Sequence, residues 1–205
     1  MSDHDRVTAE TYAERERLAA LLSELTPEQW GSPSLCTGWR VREVVAHITM
    51  PFRVSQLRLL GGMARAGFSF DRHADRSARA DTRKMSDEQL LAALQANLHH
   101  PWRPPGGGQA GALSHDVIHG LDITEPLGLP GPPAERIALV LRNSGSRNLN
   151  YFGVELDGRS LVATDADITI GDGQPTRMPA KGLLLVVTGR RSVPPGTAAP
   201  HDGDR

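Results

Sequence analysis

Cysteine is almost missing from this chain: one residue, Cys36, in 205. A lone thiol forbids an internal disulfide, rules out zinc-finger spacings and fits a reducing compartment. Net charge is nearly absent as well, −1 from 23 Lys and Arg against 24 Asp and Glu. Such a balance argues against broad attraction to nucleic acid or to an anionic membrane surface. Long apolar runs are also lacking. No aliphatic stretch exceeds that from Leu183 to Val187, too short to cross a bilayer. The opening residues, MSDHDRVTAE, have no basic segment followed by an apolar one, so no secretory signal is expected. The expectation is a cytoplasmic protein with neither membrane nor nucleic-acid partners. A phosphate-binding glycine loop is missing too, since Gly106-Gly107-Gly108 follows Pro104-Pro105 and not a strand. There is no internal repeat.

What is present suits a globular domain with a sizeable core: 39% apolar and 23% charged residues. Leu18, Leu21, Leu22 and Leu25 recur on one helical face of 8–25, with Arg and Glu on the other. Thr26-Pro27-Glu28-Gln29 reads as a capping box opening a short helix. After Gly38 a second long helix carries the stripe Val41, Val44, Val45, Ile48 and Phe52. Pro51 lies inside it and predicts a kink, and Gly61-Gly62 ends or weakens it. Residues 68–84, polar and arginine-rich, read as a loop with at most a short helix. Ser86-Asp87-Glu88-Gln89 is another capping box, followed by Leu90, Leu91, Leu94 and Leu98 on one face. Pro101 to Gly108 is a break. A fourth helix spans about Ala110 to Ile123.

Beyond Pro130 to Pro133, residues 134–150 look helical. From about Val154 the pattern changes. Leu161-Val162-Ala163 and Ile168-Thr169-Ile170 suit short strands, with turns at Asp157-Gly158 and Gly171-Asp172-Gly173. The run Leu183 to Val187 fits strand or helix, because a short apolar run does not decide between them. The division expected is a helical domain over 8–130, a small C-terminal α+β region over 131–190, and a disordered tail over 191–205.

Three histidines carry the candidate chemistry. His115 and His119 are four apart on the fourth helix, so both imidazoles leave one face a turn apart. That spacing lets two neutral imidazoles chelate one ion of zinc, nickel, copper or iron. His47, on the same helix as the Val41 stripe, is the best third ligand. Spacing alone leaves other readings open. Such a pair is often solvated or capping, and a histidine beside a buried stripe is often a hydrogen-bonded core residue.

Two segments bear on the choice. Ser34-Leu35-Cys36-Thr37-Gly38-Trp39-Arg40-Val41-Arg42-Glu43-Val44-Val45-Ala46-His47-Ile48 resembles the N-terminal signature of the mycothiol-dependent maleylpyruvate isomerase family, within the DinB-like superfamily. Leu113-Ser114-His115-Asp116-Val117-Ile118-His119-Gly120-Leu121-Asp122-Ile123, followed by Pro126-Leu127-Gly128, is similar to the family's later helix. The family's pattern there allows Glu or His at the first ligand position, so His115 makes this set three histidines. Over roughly 8–190 the resemblance implies a mainly α protein. The implied fold is a DinB-like four-helix bundle holding a divalent metal ion between helices, with a small C-terminal α+β region. It also implies that Leu183 to Val187 is helical.

Three neutral histidines leave a coordination position open, as catalytic sites do, and an open ion lowers the pKa of bound water or thiol. The resemblance implies mycothiol as the thiol cosubstrate. The expected activity is isomerase or S-transferase chemistry on an electrophilic small molecule, with zinc the first expected ion and nickel the next. Asp122 and Asp116 are the carboxylates placed to orient the ligating imidazoles. Arg53 and Arg58 follow His47 on its helix and are candidates to meet an anionic substrate. Cys36, with no adjacent histidine in sequence, is a weak candidate nucleophile. A metal-binding protein without catalysis and a small-molecule binding module are the alternatives. Monomer and homodimer are both open.

Overall fold

The computed structural model describes residues 2–194, apart from the side chains of 56–60; of the expected tail, 195–205 lie outside the described residues. The chain divides into two compact units, with the boundary between Pro132 and Pro133.

In the first unit, α1 (Asp3–Ser23) is followed by the single turn α2 (Pro27–Trp30). α3 (Val41–Arg53), α4 (Gln56–Arg65), α5 (Phe70–Thr82), α6 (Asp87–Gln95) and α7 (Gly108–Thr124) come next. The four expected long helices are α1, α3, α6 and α7. α3 packs on α6 and α7, and α1 packs on the same two, which is the four-helix bundle. The capping boxes at Thr26 and Ser86 form as read: each hydroxyl accepts from the backbone N–H three residues on, and Gln29 and Gln89 reach back to the cap N–H. Val41, Val44, Val45 and Ile48 are completely buried, packed with Leu18, Leu22, Leu90 and Leu94. Burying each such side chain contributes about 1.5–3 kcal/mol, enough to hold β-branched residues in a helix against their weaker propensity.

Three expectations need correction. The helix after Gly38 does not run kinked to Gly61. It stops at Arg53, two residues past Pro51, with Val54 extended at φ −110°, ψ 125°; Pro51 lacks the N–H that would extend the ladder to His47 O. Gly61 and Gly62 lie inside the separate helix α4. Gly62 has a packing reason there, since a Cβ would stand 2.3 Å from Cε1 of His73 on α5. Third, 68–84 is mostly the 13-residue helix α5, N-capped by Ser69. Its buried positions are His73, Ala74 and Ala78, so its apolar stripe is alanine and a leucine or valine pattern is missing.

The second unit holds α8 (Ala134–Phe152), β1 (Arg159–Ala163), β2 (Thr169–Ile170), β3 (Gln174–Met178) and α9 (Ala180–Val187). Leu183 to Val187 is therefore helical. The sheet order is β2-β1-β3, with β1 antiparallel to β2 and parallel to β3. Only residues 171–173 join β2 to β3, so the chain must pass the start of β1 at very close range. Gly171 and Gly173 take φ of 81° and 117°, and a Cβ on Gly173 would lie 2.0 Å from Gly158 O. Glycine is the residue that permits this crossing. Sequence reading missed β3, whose residues other than Met178 are polar or exposed and include Pro175. Among the described residues, no helix is long and apolar enough to cross a membrane.

Candidate metal centre

α3, which buries the valine stripe, also buries His47, which is 5% exposed. His115 and His119 leave α7 one turn apart, with side chains 14% and 15% exposed. The packing of α3 on α7 brings all three together. One nitrogen of each ring lies within 4.8 Å of those of the other two. Nε2 of His47 is 3.3 Å from Nε2 of His115, and His119's ring centroid lies 4.8 Å from that of His47 and 4.7 Å from that of His115.

Carboxylates fix two of the rings from behind. His115 Nδ1 is 2.9 Å from Asp116 Oδ1, and His119 Nδ1 is 2.9 Å from Asp122 Oδ2. Asp116 and Asp122 are 1% and 0% exposed. A carboxylate accepts, so Nδ1–H donates and the neutral ring keeps its lone pair on Nε2, the ligand tautomer. His47 differs: its Nδ1 is buried without a hydrogen-bond partner. Burial, reinforced by the neighbouring His119 and His115, holds its pKa well below the usual histidine value. The imidazole is thus kept neutral, as metal ligation requires. The two sequence-read carboxylates both reach their imidazoles, Asp122 over one helical turn and Asp116 from the adjacent position.

The loop before α3 closes one side. Leu35 N–H donates to Asp122 O at 3.0 Å, which anchors the loop to the end of α7. Cys36 Sγ–H then donates to Asp122 Oδ2 at 3.0 Å and lies 3.9 Å from His119 Nδ1. Cys36 has no histidine near it in sequence; the fold supplies one from 83 positions away. Cys36, His119 and Asp122 themselves form a second group of potential ligands, their atoms within 4.8 Å of one another.

Aromatic rings stand around the histidines. Trp39 packs at the entrance of α3 as its position suggests, with its centroid 5.3 Å from that of His47 and its indole N–H donating to Asp75 at 2.8 Å. Phe70 lies 6.4 Å from His47, and Trp102 5.1 Å from His115. Phe70 is 45% exposed, so apolar surface lies open beside the site. Sequence reasoning passed over Phe70 and Trp102, which have no motif and come from segments read as loop or break.

Arg53 donates to Asp81 Oδ2 at 2.9 Å and to Ala46 O at 2.9 Å, so its guanidinium ties α3 to α5. Arg58 falls outside the described side chains. By sequence Arg15 belongs to the charged side of the first helix, opposite its leucine stripe. It is instead buried, donating to Asp116 Oδ2 at 2.7 Å.

Residues 12–101 match the family model described as the mycothiol maleylpyruvate isomerase N-terminal domain, a span that includes His47 and stops before His115. Two uncharacterized proteins from two strains of Mycobacterium tuberculosis are each 24% identical to this chain, over 74% of it and 67% of their own length. Two crystal structures are similar in fold. The mycothiol-dependent maleylpyruvate isomerase aligns with a TM-score of 0.62 at 14% identity. A histidine-to-alanine mutant of that enzyme aligns at 0.59 and 12%, and each alignment covers 94% of this chain and 93% of the other. Through residues 12–101, under half of its length, the chain is similar to the mycothiol maleylpyruvate isomerase N-terminal domain family.

Proposed function

We propose that this protein is a metal- and thiol-dependent enzyme, an isomerase or S-transferase of the mycothiol-dependent maleylpyruvate isomerase type. The observation that carries this reading is the convergence of three imidazoles within 4.8 Å, two of them backed by buried carboxylates. Nitrogen-only neutral donors suit zinc first and nickel next. His47, His115 and His119 would hold the ion, whose positive charge would lower the pKa of a bound thiol.

The protein's own groups do the rest. Asp116 and Asp122 hold two rings in the ligand tautomer. Trp39, Phe70 and Trp102 supply apolar walls that limit water around the sulfur. The thiol cosubstrate, mycothiol by resemblance, would give its proton to solvent, and its sulfur would add to the electrophilic carbon of a conjugated C=C bond, whose π electrons move onto the adjoining carbonyl as an enolate. Rotation about the new single bond and return of those electrons, expelling the thiolate, would give an isomer; protonation of the enolate carbon from solvent would give a conjugate. Arg53 and Arg58, the arginines that follow His47 in sequence, are offered as the cations that meet an anionic substrate.

The test is elemental analysis of purified protein, then calorimetry with mycothiol on the zinc-loaded and metal-free forms. The expected result is one ion per chain, lost in His47→Ala, and mycothiol binding that needs the ion. Metal without mycothiol binding would leave a metal protein and remove the thiol chemistry. Unchanged metal content in His47→Ala would remove the three-histidine site.

A further inference from the structure

Arg15 sits on α1, a helix that contributes no histidine to the site, yet its side chain is 1% exposed. Its Nε donates to Asp116 Oδ2 at 2.7 Å, while Asp116 Oδ1 lies 2.9 Å from His115 Nδ1. The same guanidinium also reaches the segment that leads to Trp102. Nη1 donates to His100 O at 2.7 Å and, more weakly, to Leu98 O at 3.4 Å. His100 Nδ1 in turn accepts from Trp102 N–H at 3.1 Å, and the Trp102 ring stands against His115. One arginine therefore holds both the carboxylate behind the imidazole and the chain segment that carries the ring beside it.

The cost of this arrangement is visible. Nη2 of Arg15 is buried with no hydrogen-bond partner. A buried ion pair is commonly no more stabilising than well-packed apolar residues of the same volume, and α1 otherwise fills its core face with residues such as Leu18 and Leu22. What the guanidinium offers that a leucine cannot is a rigid fork with several fixed donors. We infer that Arg15 is a positioning residue for the metal centre, fixing the tautomer and orientation of His115 through Asp116 and setting Trp102 through the 98–100 carbonyls. This inference rests on the three-histidine reading for its metal readout and on the hydrogen-bond chain alone for its second readout.

The test compares Arg15→Met, Arg15→Lys and Arg17→Met with wild type. Arg17, two residues away, pairs with Glu14 and donates to Pro130 O, so its removal controls for general disturbance of α1. Zinc affinity is read by competition with a chromophoric chelator. Nitrogen-15 spectra of the metal-free protein read the His115 tautomer directly. Arg15→Met is expected to weaken zinc binding roughly tenfold or more and to turn His115 from one Nδ1–H tautomer into a mixture, while Arg17→Met changes neither. Should Arg15→Met fail to fold, Arg15→Lys carries the test. A single ammonium cannot reproduce the fork, so the same two changes are expected in smaller degree. Wild-type affinity and an unchanged His115 tautomer in a folded Arg15 variant overturn the inference. A wild-type chain that takes up no zinc but shows the His115 change in Arg15→Met sinks the metal reading and leaves the positioning chain standing.

Discussion

Nε2 of His47 and Nε2 of His115 face each other at 3.3 Å across the packing of α3 on α7. Two such atoms are at ease with a shared proton or a shared cation. If the cation is the resident, added zinc stabilises the folded state by mass action, by about 2.7 kcal/mol at a hundredfold excess over Kd. For a chain of this size that is roughly 5–10 °C in Tm. Scanning calorimetry with and without zinc checks it. His47→Ala is expected to remove the shift, and a wild-type Tm indifferent to zinc counts against the site.

Metal-free protein should lose stability on mild acidification. Burial, with His119 and His115 alongside, holds the folded-state pKa of His47 well below the usual 6.5. The unfolded chain takes up the proton first, so stability rises with pH in this window. The contribution is complete above about pH 6.5 and drains away as pH falls from there toward the folded pKa. Tm measured from pH 7.5 to 5 in chelator should fall more steeply for wild type than for His47→Gln. Parallel curves would deny His47 this role.

Asp122 accepts from both His119 and Cys36. Asp122→Asn is expected to lower zinc affinity about 10–100-fold, the usual effect of losing a ligand's carboxylate partner. Cys36→Ala removes one weak donor and should cost under about 1.5 kcal/mol of stability, with less than a tenfold change in affinity. A chelator-competition titration ranks the two variants. The reverse order would mean that the sulfur is the ligand and the carboxylate its support.

In the second unit, Gly173→Ala forces a methyl to within 2.0 Å of Gly158 O at φ 117°. Strain at such a position costs on the order of 1–3 kcal/mol, and the backbone clash adds to it. Urea unfolding should show the loss, while zinc affinity in the other unit stays unchanged. A variant as stable as wild type would contradict the close crossing of 171–173 over the start of β1.

The parts legible in sequence were those written in local chemistry. The hydroxyls of Thr26 and Ser86 announce helix starts, and the valine stripe from Val41 to Ile48 announces a buried face. The spacing of His115 and His119 announces a shared side of one helix. What stayed hidden depends on distant partners. α5 packs with alanines, which leave little hydrophobic period among its arginines and aspartates. β3 is held by parallel pairing with β1 and not by its own residues. Arg15 and Glu14 look like solvent-facing charge, yet both are buried, and Arg15 finds its counterion 101 positions away. Cys36 likewise gains its meaning from α7. The third candidate ligand, His47, could be nominated from its helix but not joined to the pair without the resemblance of the flanking segments.

The span between His47 and His115 is 68 positions, and it contains the whole of α4, α5 and α6. An ion gripped at both ends would turn that span into a closed ring, with fewer ways to be unfolded than an open strand of the same length. Secreted proteins close such rings with sulfur. A chain with a single cysteine has no such clasp, and here the ligand set would be its fastening, released by chelation or acid and not by a reductant.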